Sequence, residues 1–81
     1  MAHRSHRPTL LSFGALIARR RLMANLSTEE LAEAVGVSQS LISRIENGHR
    51  EPRLEIIMML NNVLNISDSI VNYLKTGEFG K

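Results

Sequence analysis

Residues 26–48 read LSTEELAEAVGVSQSLISRIENG, and this stretch decides the fold. Ser27 and Glu30 have the spacing of a capping box, in which the serine caps a helix and the glutamate bonds back to the serine amide. Gly36 ends this helix, because glycine adopts a positive φ without strain. Ser38 then caps a further helix, which the Asn-Gly pair at the end of the stretch terminates. The stretch therefore predicts two short helices joined by a tight turn.

The rest of the chain also has apolar residues that recur with the period of a helix. No stretch has the alternation of a strand, so the sequence predicts an all-α fold of five helices. The first of the other helices is predicted at residues 10–24, with Thr9 as N-cap and Asn25 as left-handed terminator. The fourth is predicted at residues 53–64, with Asn65 as terminator. The fifth is predicted at residues 68–74, with Ser67 as N-cap.

The length of 81 residues is that of one domain. We predict a flexible basic arm over residues 1–8, the helical domain over residues 9–75 and a flexible tail over residues 76–81. The absence of cysteine excludes disulfides and thiolate metal sites. No apolar run reaches the roughly 20 residues that span a bilayer, and three arginines interrupt the first apolar stretch, so we expect no secretion signal. A cytoplasmic protein without a membrane partner is therefore expected.

The charges are distributed unevenly, although the net charge is only +2. Residues 28–36 carry three glutamates. Residues 1–26 carry no acidic residue and five arginines, namely Arg4, Arg7, Arg19, Arg20 and Arg21. A basic block of this kind suggests attraction to phosphates.

The third helix, Gln39–Glu46, has a face that suits nucleic acid. Its inner side carries Ile42 and Ile45. Its outer side is polar and lacks carboxylates, which would be repelled by a phosphate backbone. Glutamine and arginine can make paired hydrogen bonds to base edges, and serine can bond to bases or phosphates. We predict that four residues of this side read bases in the major groove: Gln39, Ser40, Ser43 and Arg44. The alternatives are that some of them contact only phosphate, or that the DNA is recognised mainly by its shape.

A set of residues with specific spacing extends over residues 13–74. It comprises Phe13-Gly14, Ile17, Arg21, Leu26-Ser27, Glu30-Leu31-Ala32, Val35-Gly36-Val37-Ser38, Ile42-Ser43, Ile45-Glu46-Asn47-Gly48, Pro52, Leu64, Ile66 and Leu74. In these residues the chain resembles the lambda-repressor-like Cro/Xre family of helix-turn-helix regulators. The resemblance implies five helices with the helix-turn-helix at helices two and three, and homodimers that bind two-fold DNA operators with half-sites about one turn (~34 Å) apart.

The resemblance also implies roles for residues around the third helix. Thr28, Ser38, Asn47 and Arg50 are expected to contact phosphates, since helix N-termini and the loop after the third helix approach the DNA backbone in this family. Arg21 and Glu46 are expected to form a structural ion pair that ties the first helix to the third. For these residues the alternatives are a pure capping role for Ser38 and a DNA contact for Arg21.

Three positions depart from the family pattern. Arg20 stands where the family usually has an apolar residue, and Asn61 stands where it usually has a small one. Thr28 replaces a common glutamine that buttresses the first base-reading residue, so the aim of Gln39 is open.

The fourth helix is apolar almost all round, which indicates burial on more than one side. Leu54, Ile57 and Leu64 form one stripe, which we assign to the domain core. We predict that the other side meets a second copy of the chain. The predicted dimer interface comprises Ile56, Met59, Leu60 and Val63 of the fourth helix, and Ile70, Val71 and Tyr73 of the fifth. The alternative is that these residues cover the core or pack against the tail.

No catalytic pattern is present, and His3 and His6 lack a third metal ligand, so we predict neither an enzyme nor a cofactor or metal site. The leading hypothesis is a dimeric transcriptional repressor with double-stranded DNA as its partner. One alternative is an antitoxin that represses its own operon and binds a toxin, although the chain offers little length to wrap one. The other is a protein-interaction module with the same fold, which should have lost the carboxylate-free face.

Overall fold

The computed structural model describes residues 8–77, and it describes side chains from residue 11 onwards. The described residues form helices and turns without a strand, which confirms the all-α prediction. Five helices follow one another along the chain: α1 (Pro8–Met23), α2 (Thr28–Val35), α3 (Gln39–Glu46), α4 (Leu54–Leu64) and α5 (Ser67–Thr76).

Several helix ends differ from the prediction by one or two residues. α1 already includes Pro8 and Thr9, so Thr9 is not an N-cap; proline is tolerated in the first turn of a helix, where its missing N–H costs nothing. Arg53 is extended and precedes α4 instead of opening it. Ser67 is the first residue of α5 and not its cap, and the helix continues to Thr76, inside the predicted tail.

The predicted terminators are confirmed. Asn25 and Asn65 adopt left-handed φ values of 60° and 57° after α1 and α4. Gly36 has φ 86° and donates its N–H to the Ala32 carbonyl, which closes the last turn of α2. Asparagine and glycine are the residues that adopt this conformation at least cost, and these positions therefore fix where the chain turns.

One hydrophobic core joins the first four helices and the start of the fifth. The fourth helix departs from the prediction here, because Leu54 is 69% exposed and does not share the inner stripe of Ile57 and Leu64. The core residues are Phe13, Leu16 and Ile17 of α1; Leu31, Ala32 and Val35 of α2; Ile42 and Ile45 of α3; Leu60 and Leu64 of α4; and Ile66.

Gly14 allows α1 to approach the end of α3 at backbone distance. A Cβ atom at this position would lie 2.3 Å from the Ile45 carbonyl oxygen and 2.5 Å from that of Glu46. No larger residue fits without moving one helix away from the other. Gly14 therefore sets how closely the first helix supports the third.

Within residues 8–77, none of the helices has the length and apolar character needed to cross a membrane.

Candidate nucleic-acid interface

The local sequence shapes the α2–α3 unit before packing does. The Ser27 hydroxyl accepts a hydrogen bond from the Glu30 N–H at 3.0 Å, and the Glu30 carboxylate accepts one from the Ser27 N–H at 2.8 Å. The predicted capping box is thus confirmed. Ser38 begins α3 in the same way, since its hydroxyl accepts from the Leu41 N–H at 3.1 Å. Each helix of the unit starts at a serine that supplies the acceptor which the first turn lacks.

α3 is anchored from behind by two isoleucines. Ile42 is 0% and Ile45 is 1% exposed, and both belong to the core. Successive residues of an α-helix are about 100° apart, so residues 39, 40, 43 and 44 project away from this anchor. All four are exposed, and the first turn of α3 holds no acidic residue. The outer side of α3, defined by these four residues, is therefore polar and accessible.

Thr28 has a role that the sequence analysis missed. The Gln39 side-chain amide donates a hydrogen bond to the Thr28 hydroxyl oxygen at 2.8 Å. The first residue of α2 thus holds the first outward residue of α3 in place. The sequence held a signal for this contact, because Thr28 stands at the position where the resembling family commonly has a glutamine that buttresses the first residue of the third helix. The threonine hydroxyl, which is bonded directly to Cβ, reaches Gln39 from a shorter side chain than a glutamine would.

The other residues predicted to contact phosphates surround the outer side of α3. Ser38 is exposed, and its hydroxyl already serves as the cap of α3. The Asn47 amide is turned back towards α3 and donates to the Ser43 carbonyl at 2.9 Å. Arg50 is exposed in the loop that follows. The structure therefore brings Ser38 and Asn47 to the two ends of α3, with Arg50 beyond.

The Arg21 and Glu46 side chains meet across the junction of α1 and α3. The Arg21 guanidinium donates to the two Glu46 carboxylate oxygens at 2.7 and 3.1 Å, and to the Leu26 carbonyl at 3.0 Å. The two side chains are only 14% and 9% exposed. The hydrogen bond with Glu46 raises the pKa of Arg21, and the carboxylate charge adds to it, against the opposing effect of burial. This pair fixes the end of α3 to α1.

The three described arginines of the basic block, residues 19–21, do not share one surface. Arg21 is committed to Glu46, and the Arg20 guanidinium donates to the Asn65 carbonyl at 3.0 Å, at the far end of α4. Of the three consecutive arginines, Arg19 is the exposed one. Arg20 and Arg21 thus donate to protein acceptors, and the attraction of the block to phosphates stays a prediction. Their positions on the inner side of α1 direct them to protein acceptors.

The predicted dimer surface needs one correction. Leu60 is 0% exposed, because it lies in the middle of the buried stripe of α4, and it is not available to a second chain. Met59 and Val71 are 41% and 50% exposed. The remaining predicted residues are half-buried: Ile56, Val63, Ile70 and Tyr73. Sequence reasoning did not identify Met58 and Leu74, which are also exposed, at 59% and 76%.

The predictions for the N-terminal arm, among them the part that Arg4 and Arg7 take in the basic block, lie outside the described residues. The same holds for His3 and His6, and for residues 78–81 of the tail.

Known relatives place the chain in a family. A helix-turn-helix family model matches residues 17–71. An uncharacterised HTH-type transcriptional regulator, YazB of Bacillus subtilis, is 38% identical over 55 residues, which cover 68% of this chain and 80% of the relative. Another, Rv0474 of Mycobacterium tuberculosis, is 31% identical over 64 residues, which cover 79% of this chain. The matched region is only 45% of the length of the mycobacterial protein.

Solved structures share the fold. The restriction-modification controller protein C.AhdI from Aeromonas hydrophila superposes with a TM-score of 0.67 at 32% identity, over 69% of this chain and 85% of that one. The clp gene regulator ClgR from Corynebacterium glutamicum superposes with a TM-score of 0.74 at 25% identity, over 93% of this chain and 96% of that one. The matched family model, the sequence relatives and the superposed helices agree, and the chain belongs to the Cro/Xre-like helix-turn-helix family.

Proposed function

We propose that this protein is a cytoplasmic, sequence-specific DNA-binding transcriptional regulator that acts as a dimeric repressor on a two-fold operator. The observation that carries the proposal is the anchoring of α3. Ile42 and Ile45 are buried behind it, while its outer side is exposed, polar and without carboxylates. A helix supported in this way can enter the major groove without losing its contacts to the domain.

Two side chains on the outer side of α3 carry the base selectivity in this proposal. Gln39 has two amide hydrogens and a carbonyl oxygen, and the bond to Thr28 uses one hydrogen. The second hydrogen and the oxygen match N7 and N6 of adenine. Arg44 matches O6 and N7 of guanine. Ser40 and Ser43 are short, so they let the helix approach the bases and bond to them.

The residues proposed to contact phosphates surround the same side. Thr28 accepts from Gln39, and its hydroxyl hydrogen can donate to a phosphate oxygen at the same time. The helix dipole attracts phosphate to the N-terminus of α3, and no acidic residue in the first turn opposes this attraction. Ser38 caps that turn, and Asn47 and Arg50 lie beyond the other end of α3. This arrangement orients the helix in the groove, whereas base contacts give the sequence preference.

The relatives support a regulatory role. YazB and Rv0474 carry the name of HTH-type transcriptional regulators, and the superposed structures are those of a controller protein and a gene regulator.

A homodimer through α4 and α5 completes the proposal. Met59 and Val71 are the predicted interface residues that are most exposed, and Met58 and Leu74 add apolar surface on the same two helices. Ile56, Val63, Ile70 and Tyr73 would close the edge of the contact. A two-fold operator requires a two-fold dimer that presents both copies of α3 to the same DNA.

Sedimentation tests the dimer surface. Met59→Lys combined with Val71→Lys places two charges on exposed positions, so we expect monomers with unchanged helix content. Leu22→Lys combined with Met23→Lys is the matched control, since these residues are 63% and 73% exposed at the end of α1. The control should remain dimeric. A dimer that survives the first pair of substitutions would contradict the proposed surface.

Selection of bound duplexes from random DNA tests the function. We expect an enriched two-fold site with half-sites about one helical turn (~34 Å) apart. The Gln39→Ala and Arg44→Ala variants should each lose preference at one base pair per half-site. No enrichment for any duplex at low ionic strength would contradict the proposal and would favour the protein-interaction module.

A further inference from the structure

A polar corner joins α4 to α5. The side-chain oxygen Oδ1 of Asn61 accepts two hydrogen bonds, from the Ile66 N–H at 2.8 Å and from the Ser67 hydroxyl at 2.9 Å. Asn65 turns the chain in the left-handed conformation, and Ile66 is buried. We call residues 61–69 the α4–α5 corner. The side chain of Asn61 thereby fixes the backbone at the point where α5 begins.

Arg20 reaches this corner from α1. Its guanidinium donates to the Asn65 carbonyl at 3.0 Å, and at the longer distance of 3.4 Å to the Leu64 carbonyl and to the Ser69 hydroxyl. The carbonyls at the C-terminus of a helix carry partial negative charge and lack partners within the helix, so a cation stabilises them. The planar guanidinium can donate hydrogen bonds to all three acceptors at once, because its five N–H groups point in fixed directions.

α5 depends on this corner for its orientation. The helix has no fully buried side chain of its own. Ile66, which precedes the helix, and the half-buried Ile70 in its first half attach α5 to the core. Val71 and Leu74, further along, are exposed. Contacts at the start of α5 therefore contribute, together with the half-buried Asn72 and Tyr73, to where the exposed side chains of its second half are directed.

The neighbouring residue of α1 holds the other functional element. Arg21 binds Glu46 at the end of α3, while Arg20 binds the α4–α5 corner. The reading helix and the proposed dimer helix are thus fixed to consecutive residues of one helix. Because a helix is stiff over one residue, these two contacts couple the position of α3 to that of the α4–α5 corner.

We propose that Arg20 is a positioning residue, which sets the distance between the two reading helices of the dimer and so the half-site spacing that the protein prefers. This inference rests on the proposed function and deepens it. Arg20 contacts no base in this account. It acts through α5, and its loss is expected to widen the range of spacings that are bound.

The test is binding of the full chain to duplexes whose two identical half-sites are separated by the selected spacing or by one to three base pairs more or fewer. The variant Arg20→Met removes the guanidinium and keeps an apolar stem in a half-buried position. Arg19→Met is the matched control, because it changes the same charge on the exposed side of α1. A single half-site duplex at high protein concentration reports on α3 alone.

We expect the wild-type protein and Arg19→Met to prefer the best spacing about tenfold over a spacing one base pair longer, equivalent to about 1.4 kcal/mol. Arg20→Met should reduce this ratio to about twofold, with single half-site affinity unchanged within about twofold. Arg20→Lys retains a donor for the Asn65 carbonyl and should fall between the two. It also provides the same test if Arg20→Met fails to fold.

If Arg20 were merely structural, its loss would lower affinity equally at all spacings. The ratio between the best spacing and the longer one would then stay near tenfold in Arg20→Met and Arg20→Lys. That result overturns the inference, while the proposed function stands. If the wild-type protein shows no preferred spacing on any duplex, the dimeric operator reading fails as well, and the inference falls with it.

Discussion

Breaking the Arg21–Glu46 pair should destabilise the fold much more than breaking a surface ion pair. Glu46→Ala removes both acceptors at 2.7 and 3.1 Å and leaves the guanidinium with the Leu26 carbonyl. Stranding one partner of a buried pair costs about 3–5 kcal/mol, whereas exposed pairs contribute about 0.2–1 kcal/mol. Because Arg21 is 14% exposed and can reach some water, we expect a loss of about 2–3 kcal/mol.

Urea unfolding followed by circular dichroism measures this loss, and a double-mutant cycle with Arg21→Met isolates the pair. A loss of this size corresponds to a drop in Tm of roughly 10–20 °C for a domain of this length. The cycle should give a coupling of at least about 1.5 kcal/mol. Glu33→Ala, an exposed glutamate on α2, is the control and should change stability by less than about 0.5 kcal/mol.

The pH of the unfolding assay has little effect on the stabilisation that Arg21 contributes. The pKa of Arg21 is raised in the folded state by its hydrogen bond with Glu46, so its stabilising contribution is fully present below the ordinary pKa of arginine. The contribution is lost only as the pH rises through the raised value in strong alkali. If both single variants lose less than about 1 kcal/mol at pH 7 and their effects add, the pair behaves as a surface ion pair and the reasoning is refuted.

The remaining predictions concern backbone approach, capping and aim. Gly14→Ala should lower the free energy of unfolding by about 3 kcal/mol, because the added Cβ would overlap backbone carbonyls. Gly36→Ala should lower it by only about 1 kcal/mol, because the space around Gly36 is open and only its φ of 86° is unfavourable for alanine. Equal losses in urea unfolding would argue against the close approach of α1 to α3. Ser27→Ala should cost about 1 kcal/mol in the same assay, and no loss would show that the capping box is dispensable. Thr28→Val should leave stability nearly unchanged but reduce the discrimination at the base pair read by Gln39 by about two- to tenfold, and unchanged discrimination would exclude the buttress.

Most of the fold follows from local signals in the sequence. The capping box at Ser27, the cap at Ser38 and the left-handed residues Asn25, Gly36 and Asn65 were all predicted, because each depends on a residue and its nearest neighbours. Helix ends without such signals were shifted. Ser67, for example, has the residue type of a cap, but its hydroxyl bonds to Asn61 across the corner instead.

Contacts between distant residues were harder to predict. The sequence identified Arg20 as unusual but not its acceptors, since these lie 44 to 49 residues away, at the end of α4 and in the first turn of α5. The assignment of Leu60 to an interface failed because an almost uniformly apolar helix does not reveal its inner side. The bond between Gln39 and Thr28 depends on the angle between α2 and α3, which only the packed structure supplies.

The central claim is that the outer side of α3 reads bases in the major groove. Dimethyl sulfate methylates guanine at N7 in the major groove and adenine at N3 in the minor groove, so interference on the selected site tests the claim most directly. We predict that N7 methylation of one guanine per half-site weakens the wild-type protein by about 10- to 100-fold, the equivalent of about 1–3 kcal/mol. The same methylation should have little effect on Arg44→Ala. Interference at adenine N3 alone, or equal interference in Arg44→Ala and wild type, would contradict the claim.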